Sequence, residues 1–269
     1  MDTPPRAPSS DPEAVTLRDR TTIVTCLLLV LLALVAWIGV VRSAMSAMTH
    51  AGMAMDPMGL GLSKGVWFVT EWTVMMTAMM LPSALPMIAL YGATRRRADD
   101  RATPGVPVAV FTLVYLVVWA LTGVPAYFAN VLLEHLAPER LAYGVAVVLL
   151  AAGLYQLSPL KQVCLRACRS PIGFLLGHWR AGRRGALRLG AAHAAYCVGC
   201  CWALMLVLVA AGAMGLPWVL LIAAVVAAEK LLPAGEWTAR IAGIVLLALG
   251  GLVAARPDLV TMLRGGHMM

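Results

Sequence analysis

Charge is scarce in this chain. Of its 269 residues only 13% are Asp, Glu, Lys or Arg, where a soluble domain carries roughly a quarter. Acidic residues are fewest, 13 against 21 Lys and Arg. A soluble globular domain is excluded by that shortage. Missing too are a Gly-rich phosphate loop, a Ser/His/Asp set with workable spacing, facing carboxylate pairs and any internal repeat, so nothing points to a soluble catalytic site.

What fills the chain instead is apolar: 61% hydrophobic residues and a mean hydropathy of +0.84. The charged residues lie between long apolar runs, and about 20 apolar residues suffice for one helical crossing of a bilayer. The runs at about 23–41, 66–91, 107–130, 141–159, 190–213, 217–233 and 237–255 predict an all-α polytopic bundle of about seven spanning helices. The first run is too long for a signal-peptide core, and no small-residue cleavage site follows it. Residues 1–20, rich in Pro and Asp, predict a disordered cytoplasmic arm, 21–257 the helical domain and 258–269 a short tail. Six crossings fit if a short C-terminal segment is re-entrant, but the tight turns Met214 to Pro217 and Leu232 to Gly235 favour two true crossings.

The +8 net charge speaks to orientation. With the N-terminus in the cytoplasm, Arg95, Arg96, Arg97, Arg101, Lys161, Arg166, Arg169, Arg180, Arg183, Arg184 and Arg188 fall inside. Outside remain only Arg42, Lys64, Arg140, Arg256 and Arg264. The positive-inside rule therefore predicts N-in, C-out in the inner membrane. Topology and anionic lipids account for the basic loops, so nucleic acid is not an expected partner. The connection 160–189 sets Phe174, Leu175, Leu176 and Trp179 among arginines, the pattern of a segment lying along the inner surface.

Soft donors gather in one stretch, from His193 to Met205. On a helix, residues three and four apart share a face, so His193, Cys197, Cys200, Cys201 and Met205 form a stripe. A lone buried Cys is usually packing; three on one face point to a soft metal or redox role. His193 is either a further ligand or a histidine near the lipid headgroups. Cys164 and Cys168, four apart, face one way on a helix and suit a second site or a relay to the first.

A second stretch carries Met75 and Met79 in line below Glu71, with Trp72, Met76 and Met80 in the neighbouring row. Methionine rows are more often core than ligand. Here Pro82 and Pro86 break the backbone ladder at membrane depth, where tight packing or a protein-lined cavity must compensate. At about 1.5 Å per residue, Met79 and Met80 come roughly 20 Å below the outer end of their helix, level with Cys197 and with Glu229 in the helix that follows Cys197. A site among these three helices is therefore geometrically open. Glu229 is either part of it, as intramembrane ionisable residues often are, or an ion-pair partner of Lys230. Finally Met48, His50, Met53 and Met55 predict an outer loop suited to capturing Cu(I), or a Met-packed helix end.

Taken together, Trp72-x-x-Met75-Met76-x-Ala-Met79-Met80-x-Pro82, Tyr155-Gln156-x-x-Pro159-Leu-Lys161-x-x-Cys164-Leu-x-x-Cys168, Tyr196-Cys197-x-Gly-Cys200-Cys201-Trp202-x-Leu-Met205 and Glu229-Lys230 resemble a bacterial family of predicted metal-binding integral membrane proteins, domain of unknown function 2182. The resemblance covers about 66–232. It implies a metal site drawn from Met75, Met76, Met79, Met80, Cys164, Cys168, Cys197, Cys200, Cys201 and Glu229, and says nothing about the outer Met/His loop.

The leading expectation is an integral membrane protein that binds a soft metal, Cu(I) foremost with Zn(II) left open, for transport or for exchange with a metal-donating or metal-receiving protein. Two other classes compete: a membrane thiol–disulfide enzyme using Cys197-Val-Gly-Cys200, and an assembly subunit whose Met and Cys residues only pack.

Overall fold

A computed structural model describes residues 20–50, 61–98, 105–180, 182–212 and 215–260. Among these residues there are nine helices and no strand: α1 (Arg20–His50), α2 (Leu62–Ala98), α3 (Gly105–Glu134), α4 (Pro138–Leu157), α5 (Pro159–Arg169), α6 (Pro171–His178), α7 (Gly182–Ala210), α8 (Leu216–Leu231) and α9 (Gly235–Ala255). Proline punctuates the second half. Pro138, Pro159, Pro171 and Pro217 each stand at a first or second helical position, where the missing N–H has no partner to lose. Ser158, extended because Pro159 follows it, ends α4 and caps α5 by accepting from the Lys161 N–H at 3.2 Å.

Six helices, α1, α2, α3, α4, α7 and α9, are long and apolar enough to cross a membrane. The sequence predicts about seven, counting the run at 217–233, which forms α8. Its 16 residues rise about 24 Å, short of a hydrocarbon core about 30 Å thick, because the residue before Pro233 leaves the α region. Two further expectations change. Helix α1 runs on to His50 instead of ending near Val41, since no Gly or Pro interrupts Arg42 to His50. The 160–189 connection, expected along the inner surface, also docks on the bundle. It forms α5, α6 and the start of α7, with α5 packed against α4, α7 and α8 and Lys161 and Leu165 buried on it.

The bundle is built on close pairs, α1 with α2, α2 with α3, α3 with α7 and α4 with α9, while α8 touches α7, α9 and α2. Small residues permit the closest crossings. A Cβ on Gly153 of α4 would stand 2.9 Å from the Gly243 carbonyl of α9, and one on Gly190 of α7 would stand 2.8 Å from the Phe111 carbonyl of α3. Outward, α1 exposes Leu27, Leu28, Leu31, Leu34, Val35 and Ile38, an apolar surface matched to lipid. Inward lie Trp72, Phe111, Tyr115, Trp119 and the methionines of α2.

Candidate metal centre

Helix α7 carries the cysteine stripe, and its spacing works as a helix dictates: His193, Cys197, Cys200, Cys201 and Met205 are all buried. Cys200 is the hub. Its Sγ lies 3.4 Å from Cys201 Sγ and 3.7 Å from Cys168 Sγ, and its thiol donates to the Cys197 carbonyl at 3.2 Å. Cys168 therefore joins the stripe from α5. Cys164, one turn earlier, faces α7 at Gly199, where a Cβ would sit 2.9 Å from its sulfur; glycine there lets α5 lie against the stripe. All of these thiols are free. On α5, outside the spanning helices, hydrogen bonding with Cys197 pushes the Cys168 thiol well above the ordinary value, and burial pushes the Cys164 thiol up.

Cys197 turns toward other partners. Its Sγ lies 3.1 Å from the Tyr115 hydroxyl of α3 and accepts from Lys230 Nζ of α8 at 3.0 Å. Lys230 Nζ also reaches Met80 Sδ at 3.7 Å and Ser83 Oγ at 3.3 Å, both on α2. Helices α2, α7 and α8 thus meet at one level, with the lysine between a thiol and a thioether. Met75, Met76 and Met79 are buried in the adjoining core, and Glu71 at the head of their row is partly exposed.

Glu229 and Lys230 do not pair with each other. Successive helical residues point away from one another, and the two side chains leave α8 in different directions. Glu229 receives Gln156 Nε2 on Oε1 and Lys161 Nζ on Oε2, both at 2.6 Å. Lys161 is wholly buried and also donates to the Cys200 carbonyl at 2.7 Å. It is a buried, paired charge within the connection between α4 and α7. It ties α5, α7 and α8 together behind the thiols.

His193 stands among rings, 5.7 Å from Tyr115, 5.8 Å from Phe111 and 5.5 Å from Phe174 between centroids. Its Nδ1 is buried without a hydrogen-bond partner. Met205 is buried one turn beyond Cys201. Met48 and His50 fall in the last turn of α1, where only the backbone is described, and Met53 lies outside the described residues. Sequence reasoning missed Tyr115 and Ser83, which no pattern marks. It also missed the roles of Gln156 and Lys161, although both stand in the Tyr155-Gln156-x-x-Pro159-Leu-Lys161 motif.

Chemically the arrangement is a packed cluster of soft sulfur donors, four thiols and the Met80 thioether, with one ammonium against it. Thiol and thioether ligands select Cu(I) among the first-row metals. Among the described residues, no three His, Cys, Asp or Glu side chains converge on one point as a metal-binding group; the thiols bond to one another and to Lys230. A separate cavity of about 280 Å³, lined by apolar side chains such as Leu149, Leu204, Trp218 and Leu246, does not touch the thiols.

No curated protein and no solved structure matches the chain. Residues 69–253 match the family described as PpoB2, copper chaperone, a span that contains the five cysteines of α5 and α7, the methionines of α2, Lys161, Glu229 and Lys230, and not Met48, His50 or Met53. The match bears out the metal-handling side of the resemblance under a different family name, and it extends past residue 232 to take in most of α9. The chain belongs to the PpoB2 copper chaperone family.

Proposed function

We propose that this protein is a multi-pass protein of the bacterial inner membrane, N-terminus in the cytoplasm, that binds Cu(I) and hands it by ligand exchange to a partner protein. One observation carries the reading: Cys197, Cys200 and Cys201 are buried together beside Met80, with the half-buried Cys168 against Cys200, in a chain of a copper chaperone family. Met75, Met76 and Met79 supply thioethers for passage along α2. Capture falls to Met48, His50 and Met53, and His193, Met205, Cys164 and Glu229 complete or support the donor set. Thiols must lose protons to ligate, so loading releases protons and affinity falls as pH falls.

Metal content of the detergent-purified full chain tests this. Wild type and the Cys197→Ala/Cys200→Ala/Cys201→Ala variant are incubated with Cu(I), Zn(II) or Fe(II) under reducing conditions and analysed by mass spectrometry. Near-stoichiometric copper in the wild type and none in the variant is expected. Equal retention in both, or retention in neither, overturns the reading.

The sulfur spacing also favours a second reading, thiol–disulfide exchange, because Cys200 stands 3.7 Å from Cys168 and 3.4 Å from Cys201. In it, two of these thiols pass two electrons and two protons to a disulfide of a partner and become a disulfide themselves. Redox-dependent thiol labelling of metal-free protein that tracks activity separates it from copper binding.

A further inference from the structure

Lys230 is a buried cation whose surroundings are those of a soft metal ion. Its Nζ contacts Cys197 Sγ, Met80 Sδ and Ser83 Oγ at 3.0, 3.7 and 3.3 Å, and its side chain is 8% exposed. No carboxylate is bonded to it among the described residues. The one buried acid nearby, Glu229, has both oxygens engaged by Gln156 and Lys161 on another face of α8. An ammonium out of water is costly unless a counter-charge or strong acceptors meet it, and here the sulfur of Cys197 and its neighbours are what meet it.

We propose that Lys230 is a tethered stand-in for the cargo: its ammonium occupies the cation position between Cys197 and Met80 while the site is empty, and a monovalent soft cation displaces it on loading. The inference rests on the copper reading above and adds the charge rule of the site. One positive charge leaves the sulfur cluster as one enters, so the exchange itself leaves the net charge of the low-dielectric interior unchanged, and each proton a thiol gives up on loading lowers it by one unit. A divalent ion in the same place must expel one thiol proton more than a monovalent ion to reach the same net charge, since unbalanced charge is heavily penalised in a medium of low dielectric. Lys230 stays protonated throughout, and no covalent bond of its side chain changes. Its long, flexible stem lets the ammonium swing aside, on the side of α2 where Ser83 is only half-buried.

The full chain in detergent provides the test, with wild type, Lys230→Met, Lys230→Arg and Cys197→Ala titrated with Cu(I) against a chromophoric Cu(I) chelator and separately with Zn(II). Affinity for Cu(I) is expected to rise at least tenfold in Lys230→Met, which has no ammonium to displace, with Zn(II) moving in the same direction, and to stay near the wild-type value in Lys230→Arg. A Cu(I) affinity unchanged or weakened in Lys230→Met, with Cu(I) binding still dependent on Cys197, overturns the stand-in role alone. Absence of Cu(I) binding in the wild type overturns the copper reading and this inference with it. Wild-type protein supplies a second measurement that does not depend on a variant folding. Modification of Lys230 by an amine-reactive reagent, quantified by peptide mass spectrometry relative to Lys161, is expected to rise several-fold on loading with Ag(I). An unchanged ratio in protein that has taken up Ag(I) refutes displacement.

Discussion

Replacing Glu229 by alanine is expected to destabilise the protein by about 3–5 kcal/mol, the range for removing one partner of a buried ion pair. The carboxylate accepts from Gln156 and Lys161 at 2.6 Å each, and the pair is 0% and 1% exposed. Without it, the Lys161 ammonium is left in the bundle with the Cys200 carbonyl as its remaining acceptor. Thermal unfolding in detergent reads the effect, as a midpoint lowered by on the order of 10 °C at about 2–4 °C per kcal/mol. Lys161→Met is expected to cost about as much, because it strands the carboxylate instead.

The double variant Lys161→Met/Glu229→Met is expected to be more stable than either single variant, since both charges leave together and apolar side chains of similar length fill the space. Single variants that each lose less than about 1 kcal/mol, the level of an exposed pair, would show that the pair is solvated. The cycle also bears on the thiols. Lys161 holds the backbone of α7 at Cys200, so a loss of metal binding in the stable double variant marks Lys161 as a positioning residue for the stripe.

The second large effect is steric. Valine at Gly190 has no room: its Cβ would lie 2.8 Å from the Phe111 carbonyl oxygen and 3.1 Å from the Phe111 Cα. The obstacle is backbone on both sides, so no rotamer relieves it and α3 must separate from α7. Overpacking of this kind costs about 1–3 kcal/mol or more, only partly offset by the roughly 0.5–1 kcal/mol gained when glycine leaves a helix interior. The separation also pulls Tyr115 of α3 from Cys197 of α7, now 3.1 Å apart. Lower stability together with weakened Cu(I) binding is the expected result. Gly177, whose Cβ would meet nothing within 4 Å, is the control position: Gly177→Ala is expected to leave both unchanged. A Gly190→Val protein as stable as the wild type contradicts the α3–α7 crossing.

Much of this protein was legible in its sequence because lipid imposes simple rules. A chain at membrane depth must satisfy its backbone within each segment, so apolar runs bounded by charge mark the helices directly. That logic finds α1, α2, α3, α4, α7 and α9 and errs mainly at their ends. At α8 hydropathy carries the apolar run to Leu232, and the helix itself ends one residue earlier, short of Pro233. The same local periodicity places His193, Cys197, Cys200, Cys201 and Met205 on one buried side of α7 and the methionines of α2 at their level.

Pairing between helices is a different matter. That Cys168 reaches Cys200, that Glu229 takes Lys161 rather than Lys230, and that Lys230 sits between Cys197 and Met80 all depend on how α5 and α8 are docked. Each contact joins residues from different helices, and neither spacing nor composition encodes the rotation of one helix against another. The sequence by itself determined the membrane helices, the soft-donor chemistry and which residues share a helical face, since these follow from periodicity along one chain. Only the tertiary structure decided which charge neutralises which, because a buried ion takes the partner that packing brings within about 3 Å, not the one beside it in the chain.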